Sequence, residues 1–230
     1  MTGFGRPDVD GLLPLALSRP HEALARARAV LSERPGPYAA SVAHQAAGIV
    51  LRDIGDARAG VRELRSALRQ ANRTGLTERQ SDALAALGVA LVHAGRTAEG
   101  LAALDRAVLL SSDAMTGQVL HRRGVVLWTL GRYGPALDDL RRAVGILQRA
   151  ADPVWTARAL TARGLVYLAV GLAGRADEDF VAAGRLYAGT SQELESIHTV
   201  LNRALAASAR GDLPAASPRS RSAESCASRR

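Results

Sequence analysis

The 230-residue sequence contains no lysine, a single cysteine and few aromatic residues (3%). All 30 of its basic side chains are therefore arginine, which excludes a lysine Schiff base and a phosphate-binding P-loop lysine. Because Cys226 is the only cysteine, no internal disulfide can form, and a reducing compartment is expected. The shortage of aromatic residues and the abundance of Ala and Leu argue against a β-sandwich and favour an all-α fold.

Long apolar runs are also missing. No stretch approaches the ~18 consecutive apolar residues that a membrane-spanning helix needs. The first apolar run, Leu12 to Leu17, follows Asp8 and Asp10, which is not the pattern of a signal peptide. We therefore expect a cytoplasmic protein without a membrane partner.

The formal net charge of +8, with a sequence pI near 10.9, raises nucleic acid as a partner. Residues 219–230 contribute +3 of that charge, and the remaining arginines are expected to interleave with Asp and Glu on solvated helix faces. Arginine without lysine is typical of a GC-rich bacterial genome. We interpret the charge as mainly compositional, which disfavours nucleic acid as the partner.

Motifs that carry catalysis or bind cofactors are absent from the sequence. The five histidines form no HExxH motif, and there is no GxGxxG, Walker or GxSxG motif. Two acidic pairs, Asp138 with Asp139 and Asp177 with Asp179, are assigned to the solvated face of helices, where salt bridges with arginine are expected. The sequence thus predicts no catalytic residue, no cofactor and no metal site, and a protein that is not an enzyme.

A repeat built on glycine is present instead. Four glycines separated by 40, 36 and 40 residues each precede a second glycine by seven residues: Gly48 and Gly55, Gly88 and Gly95, Gly124 and Gly131, Gly164 and Gly171. The first of each pair lies in a helical pattern and permits close packing of a neighbouring helix. The second tolerates the left-handed conformation that ends a helix. Ala204 and Gly211 continue the phase for a fifth unit.

A second helix follows in each unit, in which a small residue, a large apolar residue and Ala share one face, as in Ala176, Phe180 and Ala183. Each unit is therefore predicted to be a helical hairpin. Asp152 before Pro153 predicts a helix start, and Thr190 with Glu193 predicts a capping box.

These residues resemble the tetratricopeptide repeat (TPR), over residues 38–212. The fourth unit is most similar, with Leu160, Gly164, Tyr167, Gly171, Ala176 and Phe180. The spacing near 40 exceeds the usual ~34 and resembles the long-repeat bacterial type. The resemblance implies an α-solenoid in which helical hairpins form a right-handed superhelix. The phrases HQAAGIVLRDIGD and HRRGVVLWTLGR also resemble the amino-terminal TPR array of proteins with a caspase-like CHAT protease domain, although no protease domain is present in this sequence.

Three segments are predicted: an amino-terminal half repeat or cap over 1–37, four full repeats plus the first helix of a fifth over 38–212, and a disordered Ser/Arg-rich tail over 213–230. The pattern fails at Ser220, which suggests a truncated or frameshifted form of a longer protein. The helix of the fifth unit lacks its partner, so its apolar face is expected to be exposed or to mediate self-association.

In the family, first helices line the concave side of the superhelix and bind ligands there. Helical phase places ten side chains in this predicted groove: Gln45, Arg52, Asp82, His93, Gln118, His121, Trp128, Arg158, Thr161 and His198. Trp128 is the expected aromatic anchor, and Arg52 and Arg158 could bind carboxylates in a bidentate manner. The Lys and Asn of the family's carboxylate clamp are missing, which disfavours chaperone tails as ligands.

The sequence therefore predicts a non-catalytic scaffold that binds a peptide or partner domain in the groove. Two alternatives stay open. The chain could be the sensor array of a larger protease-linked or transcriptional regulator, or a basic helical-repeat protein that binds RNA.

Overall fold

The computed structural model describes residue 9, residues 11–188 and the helix over residues 193–210, with side chains placed at 199–209 of that helix. Within this part of the chain there are eleven α-helices and no strand. Their bounds are α1 Leu12–Ser18, α2 Pro20–Ser32, α3 Pro37–Asp53, α4 Ala57–Thr74, α5 Thr77–His93, α6 Thr97–Leu110, α7 Asp113–Thr129, α8 Tyr133–Arg149, α9 Pro153–Ala169, α10 Ala173–Tyr187 and α11 Glu193–Arg210.

The helices pair into successive antiparallel hairpins, each made of an odd-numbered and the following even-numbered helix. Neighbouring odd-numbered helices approach one another closely from α1 to α11, whereas no Cα atom of α4, α6, α8 or α10 lies within 8 Å of a Cα atom of another of these four helices. The stack is therefore tighter along the odd-numbered helices, which form its inner face. The predicted all-α solenoid of helical hairpins is confirmed.

The mid-helix glycines mark points where two helices of a hairpin touch. A Cβ atom on Gly88 would lie 2.8 Å from the carbonyl oxygen of Gly100 and 2.8 Å from Cγ of Leu104. A Cβ on Gly164 would lie 2.6 Å from Cε1 of the buried Phe180. No side chain fits at such distances, so the prediction that these glycines allow close approach is confirmed.

The second glycine of each pair ends its helix in the left-handed conformation, as the sequence predicts. Gly95, for example, has φ 78°; its N–H donates to the carbonyl of Val92 at 2.9 Å, and that of Arg96 donates to Leu91 at 2.8 Å. This double hydrogen bond satisfies carbonyls that the helix end would leave unpaired.

The start of α9 also follows its prediction. Asp152 Oδ1 accepts a hydrogen bond from the N–H of Trp155 at 3.1 Å, and Pro153 occupies the first turn. This cap fixes the start of α9 and so places Trp155 in the first turn of the helix. The capping box of Thr190 and Glu193 lies outside the described residues.

The acidic pairs on the second helices require a correction. Asp139 and Asp179 are 4% and 6% exposed, so their assignment to a solvated face is wrong. Ion pairing with arginine is present: Arg123 binds Asp139 through Nε and Nη2 at 2.6 and 2.7 Å, and Arg163 binds Asp179 through the same atoms at 2.8 and 2.7 Å. Each aspartate faces the first helix of its own hairpin, where the bidentate contact compensates its burial.

None of the described helices is both long enough and apolar enough to cross a membrane. In the same residues, no group of three His, Cys, Asp or Glu side chains could hold a metal ion.

Candidate partner-binding site

The predicted groove residues all lie on odd-numbered helices, but the structure divides them between two regions. Gln45, Asp82, His121 and Arg158 belong to a polar cluster that crosses α3, α5, α7 and α9. Arg52, His93 and Trp128 lie near the carboxyl ends of their helices. Thr161 donates its hydroxyl to the carbonyl of Ala157 in its own helix at 2.9 Å, and Gln118 is half-buried on α7. The side chain of His198 lies outside the described residues.

Asp82 is the acidic centre of the polar cluster. It accepts hydrogen bonds from Nε2 of Gln45 at 3.0 Å and from Nη1 of Arg122 at 2.5 Å, and it pairs with Nη1 of Arg79 at 3.2 Å. Burial raises the pKa of Asp82, but the charges of Arg122 and Arg79 and the hydrogen bonds outweigh burial and hold the pKa below its usual value. Asp82 therefore ties three successive repeats together as an anion.

Trp155 is the aromatic centre of the same region. The guanidinium carbons of Arg122 and Arg158 lie 5.3 and 5.0 Å from the centroid of its ring. The ring of His121 meets Trp155 edge-on, with centroids 5.5 Å apart and an interplanar angle of 73°. Two guanidinium groups thus make cation–π contacts with one indole, and each contact is favourable.

His121 is neutral in this environment. Burial first, and then the charges of Arg122 and Arg158, lower its pKa to about 3. Its Nδ1 atom is buried and has no hydrogen-bond partner among the described residues.

We define the inner arginine cluster as Arg79, Asp82, Arg122, Trp155 and Arg158. Arg79 and Arg122 share the carboxylate of Asp82, whereas Arg158 lies against Trp155, and the formal charges of the five side chains sum to +2. Buried atoms without a hydrogen-bond partner within the described part of the chain lie in and beside it: Gln45 Oε1, Arg79 Nε, Arg79 Nη2 and His121 Nδ1. Unpaired buried groups each cost about 1–3 kcal/mol, so this polar region is held at a cost in stability.

The second region is balanced in charge. Arg52 donates from Nε to Oδ1 of the neighbouring Asp53 at 2.7 Å. Burial and the charge of Arg52 lower the pKa of His93, and Asp53 opposes them. Trp128 is half-buried and packs against a core cluster that includes Leu127 and Leu140. These three predicted groove residues offer no excess charge to a ligand.

Sequence reasoning missed Arg79, Arg122 and Trp155. Two signals for them were present, because Arg79 and Trp155 each lie three residues before a predicted groove residue and hence on its helical face. Arg122 lies four residues after the predicted groove residue Gln118 and shares its helical face as well. Its contacts with Asp82 and Trp155 could not be predicted from helical phase, since they join different repeats.

Comparison with known proteins gives no match to a protein-family model and none to a curated protein. Solved structures with the same architecture do exist. BtubC (BKLC) from P. vanneervenii is 16% identical, with a TM-score of 0.64 over 96% of this chain and 88% of that chain. PlcR from Bacillus thuringiensis, in complex with the peptide PapR7 and DNA, is 14% identical, with a TM-score of 0.68 over 86% and 72%.

A kinesin light chain with nearly identical TPR-like repeats, from Podospora anserina, is 15% identical, with a TM-score of 0.58 over 74% of this chain and 85% of that chain. The chain has a tetratricopeptide-type fold. At these identities the likeness shows the fold, and a partner has to be argued from the side chains of the inner face.

Proposed function

We propose that this TPR-type array is a non-catalytic scaffold that binds a protein or peptide segment on its inner face, and that the segment presents carboxylates to the inner arginine cluster. The carrying observation is the excess of arginine over carboxylate in that cluster: Arg79 and Arg122, from two successive repeats, share the carboxylate of Asp82, and Arg158, from a third repeat, lies against Trp155. PlcR, which has a similar fold, was solved with a bound peptide.

Arginine geometry within this chain supports a carboxylate. Arg123 and Arg163 both bind an aspartate through the edge formed by Nε and Nη2. Arg122 also pairs with Asp82 through Nη1, and its side chain is 18% exposed, whereas Arg79 is buried beside it. Because the Nε and Nη2 edge of an arginine matches the two oxygens of a carboxylate, a partly exposed arginine such as Arg122 selects an acidic group over a neutral one.

Trp155 adds a surface on which a peptide segment can pack. A guanidinium that stacks on an aromatic ring keeps its N–H groups at the edge, so Arg122 and Arg158 can contact both the indole and an acidic ligand. Aromatic and arginine side chains together are typical of the residues that dominate binding energy at protein interfaces.

Intrinsic fluorescence tests this proposal directly. The chain has two tryptophans, so Trp128→Phe leaves Trp155 as the only tryptophan, whose emission can be excited separately from that of the tyrosines. In low salt, we expect hexaglutamate to change the Trp155 emission in a saturable manner and hexaglutamine to leave it unchanged. Arg158→Gln in that background should weaken hexaglutamate binding roughly tenfold, the loss of about one charge-assisted contact.

Arg52→Gln is the matched control, because it removes the same charge from the other region of the inner face. It should leave the hexaglutamate affinity within twofold of the parent. Equal losses for Arg52→Gln and Arg158→Gln, or equal responses to the two peptides, would contradict a carboxylate site at the inner arginine cluster.

A second candidate, in which the array serves as a sensor within a larger protease-linked regulator of the CHAT type or a transcriptional regulator, draws on α11. Val200, Leu201 and Leu205 are 65%, 57% and 58% exposed, and this apolar face suits a further domain or a second copy.

Sedimentation velocity over a hundredfold concentration range tests self-association through α11. A mass that rises with concentration and falls back to the monomer in Leu201→Glu, Leu205→Glu would support the second copy; a constant monomer would contradict it.

A further inference from the structure

Helix α4 carries a continuous row of exposed arginines on the side that faces away from α3 and α5. Arg58, Arg62, Arg65, Arg69 and Arg73 follow one another at intervals of four, three, four and four residues, which places them on one helical face. We call them the α4 stripe. Apart from the stripe, Asn72 is the one exposed residue of α4, and the apolar residues of the helix are buried, as are Val61 and Leu64, or half-buried, as is Leu68.

Carboxylates of the described residues do not neutralise the α4 stripe, since none of its five arginines forms an ion pair there. Glu63, the acidic residue of α4, contacts Nδ1 of His44 at 2.7 Å. Glu99, whose carboxylate feels the charge of Arg65, is held by Arg96, with 2.7 Å between Arg96 Nε and Oε1. The stripe therefore keeps a net positive charge. The expectation that the arginines interleave with acidic residues is wrong on α4, although Arg96, Arg123 and Arg141 do pair with carboxylates on other helices.

The other repeats show that this row is not a consequence of composition. Counted from the mid-helix glycine, the positions of Arg58, Arg62, Arg65 and Arg69 are occupied on α6 by Ala98, Ala102, Asp105 and Leu109. On α8 they are occupied by Gly134, Asp138, Arg141 and Gly145. If arginine were simply the usual surface residue of this chain, these equivalent positions would carry it as well.

We propose that the α4 stripe binds the phosphate backbone of a nucleic acid, on a surface separate from the inner face. The stripe spans residues 58–73, or roughly 22 Å of helix, which corresponds to about six nucleotides along one strand of a DNA duplex. Guanidinium groups bind phosphate oxygens in a bidentate manner and are the preferred side chains for this contact.

The surroundings of the stripe favour a nucleic acid over a membrane surface or a protein partner. A helix that binds a membrane surface inserts apolar side chains, but the apolar face of α4 is buried against its neighbours. A protein interface of ordinary size has an apolar centre, and the exposed residues of α4 provide none. Because the stripe contains no aromatic residue on which a base could stack, we expect binding of the backbone without preference for sequence.

Fluorescence anisotropy with two probes tests the proposal: a fluorescein-labelled 20-base-pair DNA duplex and a labelled 20-nucleotide single-stranded RNA. The test variant is Arg62→Gln, Arg65→Gln, Arg69→Gln. The matched control is Arg141→Gln, Arg142→Gln, Arg149→Gln, which removes the same three charges from exposed positions of α8. Far-UV circular dichroism melts verify that all variants are folded.

We expect the parent to bind at least one probe in low salt, with an affinity that falls as salt is raised from 50 to 200 mM. The α4 variant should bind at least tenfold more weakly, and for the duplex the slope of log K against log salt should become shallower by roughly 2.7, the value for three lost phosphate contacts. The α8 control should stay within twofold of the parent. Arg62→Lys, Arg65→Lys, Arg69→Lys keeps the charge and should retain most of the affinity.

Three outcomes would overturn the proposal. Equal losses in the α4 and α8 variants would mean that net charge alone attracts the probes. If neither probe bound at 50 mM salt, nucleic acid would be excluded as the ligand of the stripe. Stripe-dependent binding to phosphatidylserine vesicles without binding to either nucleic acid would assign the stripe to a membrane surface instead.

Discussion

At the scale of single residues, His121, which lies beside the inner arginine cluster, makes the free energy of unfolding depend on pH. The folded protein holds this imidazole neutral, with a pKa of about 3, whereas the ordinary value is 6.5. Below pH 6.5 the unfolded chain therefore binds a proton that the folded chain excludes. The stabilisation from His121 is complete above pH 6.5 and is lost as the pH falls toward 3.

This linkage predicts a measurable pH dependence. Between pH 7 and pH 5 the parent should lose about 2 kcal/mol of its free energy of unfolding through His121. His121→Gln, which does not titrate, should lose that much less over the same interval. Urea unfolding of both proteins at the two pH values measures the difference. An identical pH dependence of parent and variant would contradict the low pKa of His121.

Two glycines in helix interiors should respond in opposite directions to alanine. Gly88→Ala places a methyl group 2.8 Å from the Gly100 carbonyl oxygen, a backbone atom that cannot rotate away, and should destabilise the protein by about 2 kcal/mol or more. Gly145→Ala, on α8, meets only the end of Arg149 at 3.5 Å and should stabilise it by about 0.5–1 kcal/mol through helix propensity. Thermal melts of the two variants give the comparison, and a shift of the same sign in both would refute the packing role of Gly88.

Glycine also shows what could be predicted from the sequence. The mid-helix and helix-ending glycines act through local geometry and short contacts within one hairpin, so their spacing was sufficient to predict both roles. The functional side chains act across hairpins. Trp155 could be placed on a helical face but not beside Arg122, because that contact depends on how α7 and α9 stack.

At the scale of helical elements, an arginine and an aspartate at fixed places join the two helices of a hairpin. In the third and fourth units the arginine directly precedes the mid-helix glycine and the aspartate follows the arginine by 16 residues. In the first unit, His44 and Glu63 make a related contact. The pairing with arginine could be predicted from composition, but the burial of the aspartates depends on tertiary packing, and the sequence pattern gave the wrong environment.

Removal of one partner from such a buried pair should be costly. Arg163→Gln leaves Asp179, which is 6% exposed, without its bidentate partner and should lower the free energy of unfolding by about 3 kcal/mol. The double variant Arg163→Met, Asp179→Leu should recover most of that loss, because no unpaired charge remains. Urea denaturation measures both.

Arg141→Gln is the corresponding surface control. Arg141 and Asp138 pair at 3.4 Å with side chains 48% and 75% exposed, so its loss should change stability by less than about 0.5 kcal/mol. If the double variant were no more stable than Arg163→Gln, the cost would lie in packing and not in the unpaired charge.

At the scale of the whole molecule, the stack separates two charged surfaces. The inner arginine cluster is built from three neighbouring repeats and depends on their spacing, whereas the α4 stripe belongs to a single helix and faces outward. A scaffold with this arrangement could hold a protein segment and a nucleic acid at the same time without competition between them. The solenoid architecture could be predicted from the sequence because the same local pattern recurs in every repeat. Neither charged surface could be predicted in this way, since each depends on residues that differ from one repeat to the next.

The same stacking predicts how the molecule opens. Each hairpin contacts only its neighbours in the stack, so a defect should weaken hydrogen-exchange protection most in its own repeat and progressively less farther away. Leu104→Ala removes a fully buried side chain from the α5 and α6 hairpin, and Phe180→Ala does the same in the α9 and α10 hairpin. Each should lower the free energy of unfolding by about 2–5 kcal/mol.

Hydrogen exchange followed by mass spectrometry should show the largest loss of protection in α5 and α6 for the first variant and in α9 and α10 for the second. A uniform loss across all helices in both variants would mean that the array unfolds as one cooperative unit, and the inner arginine cluster would then open only with the free energy of unfolding of the whole array.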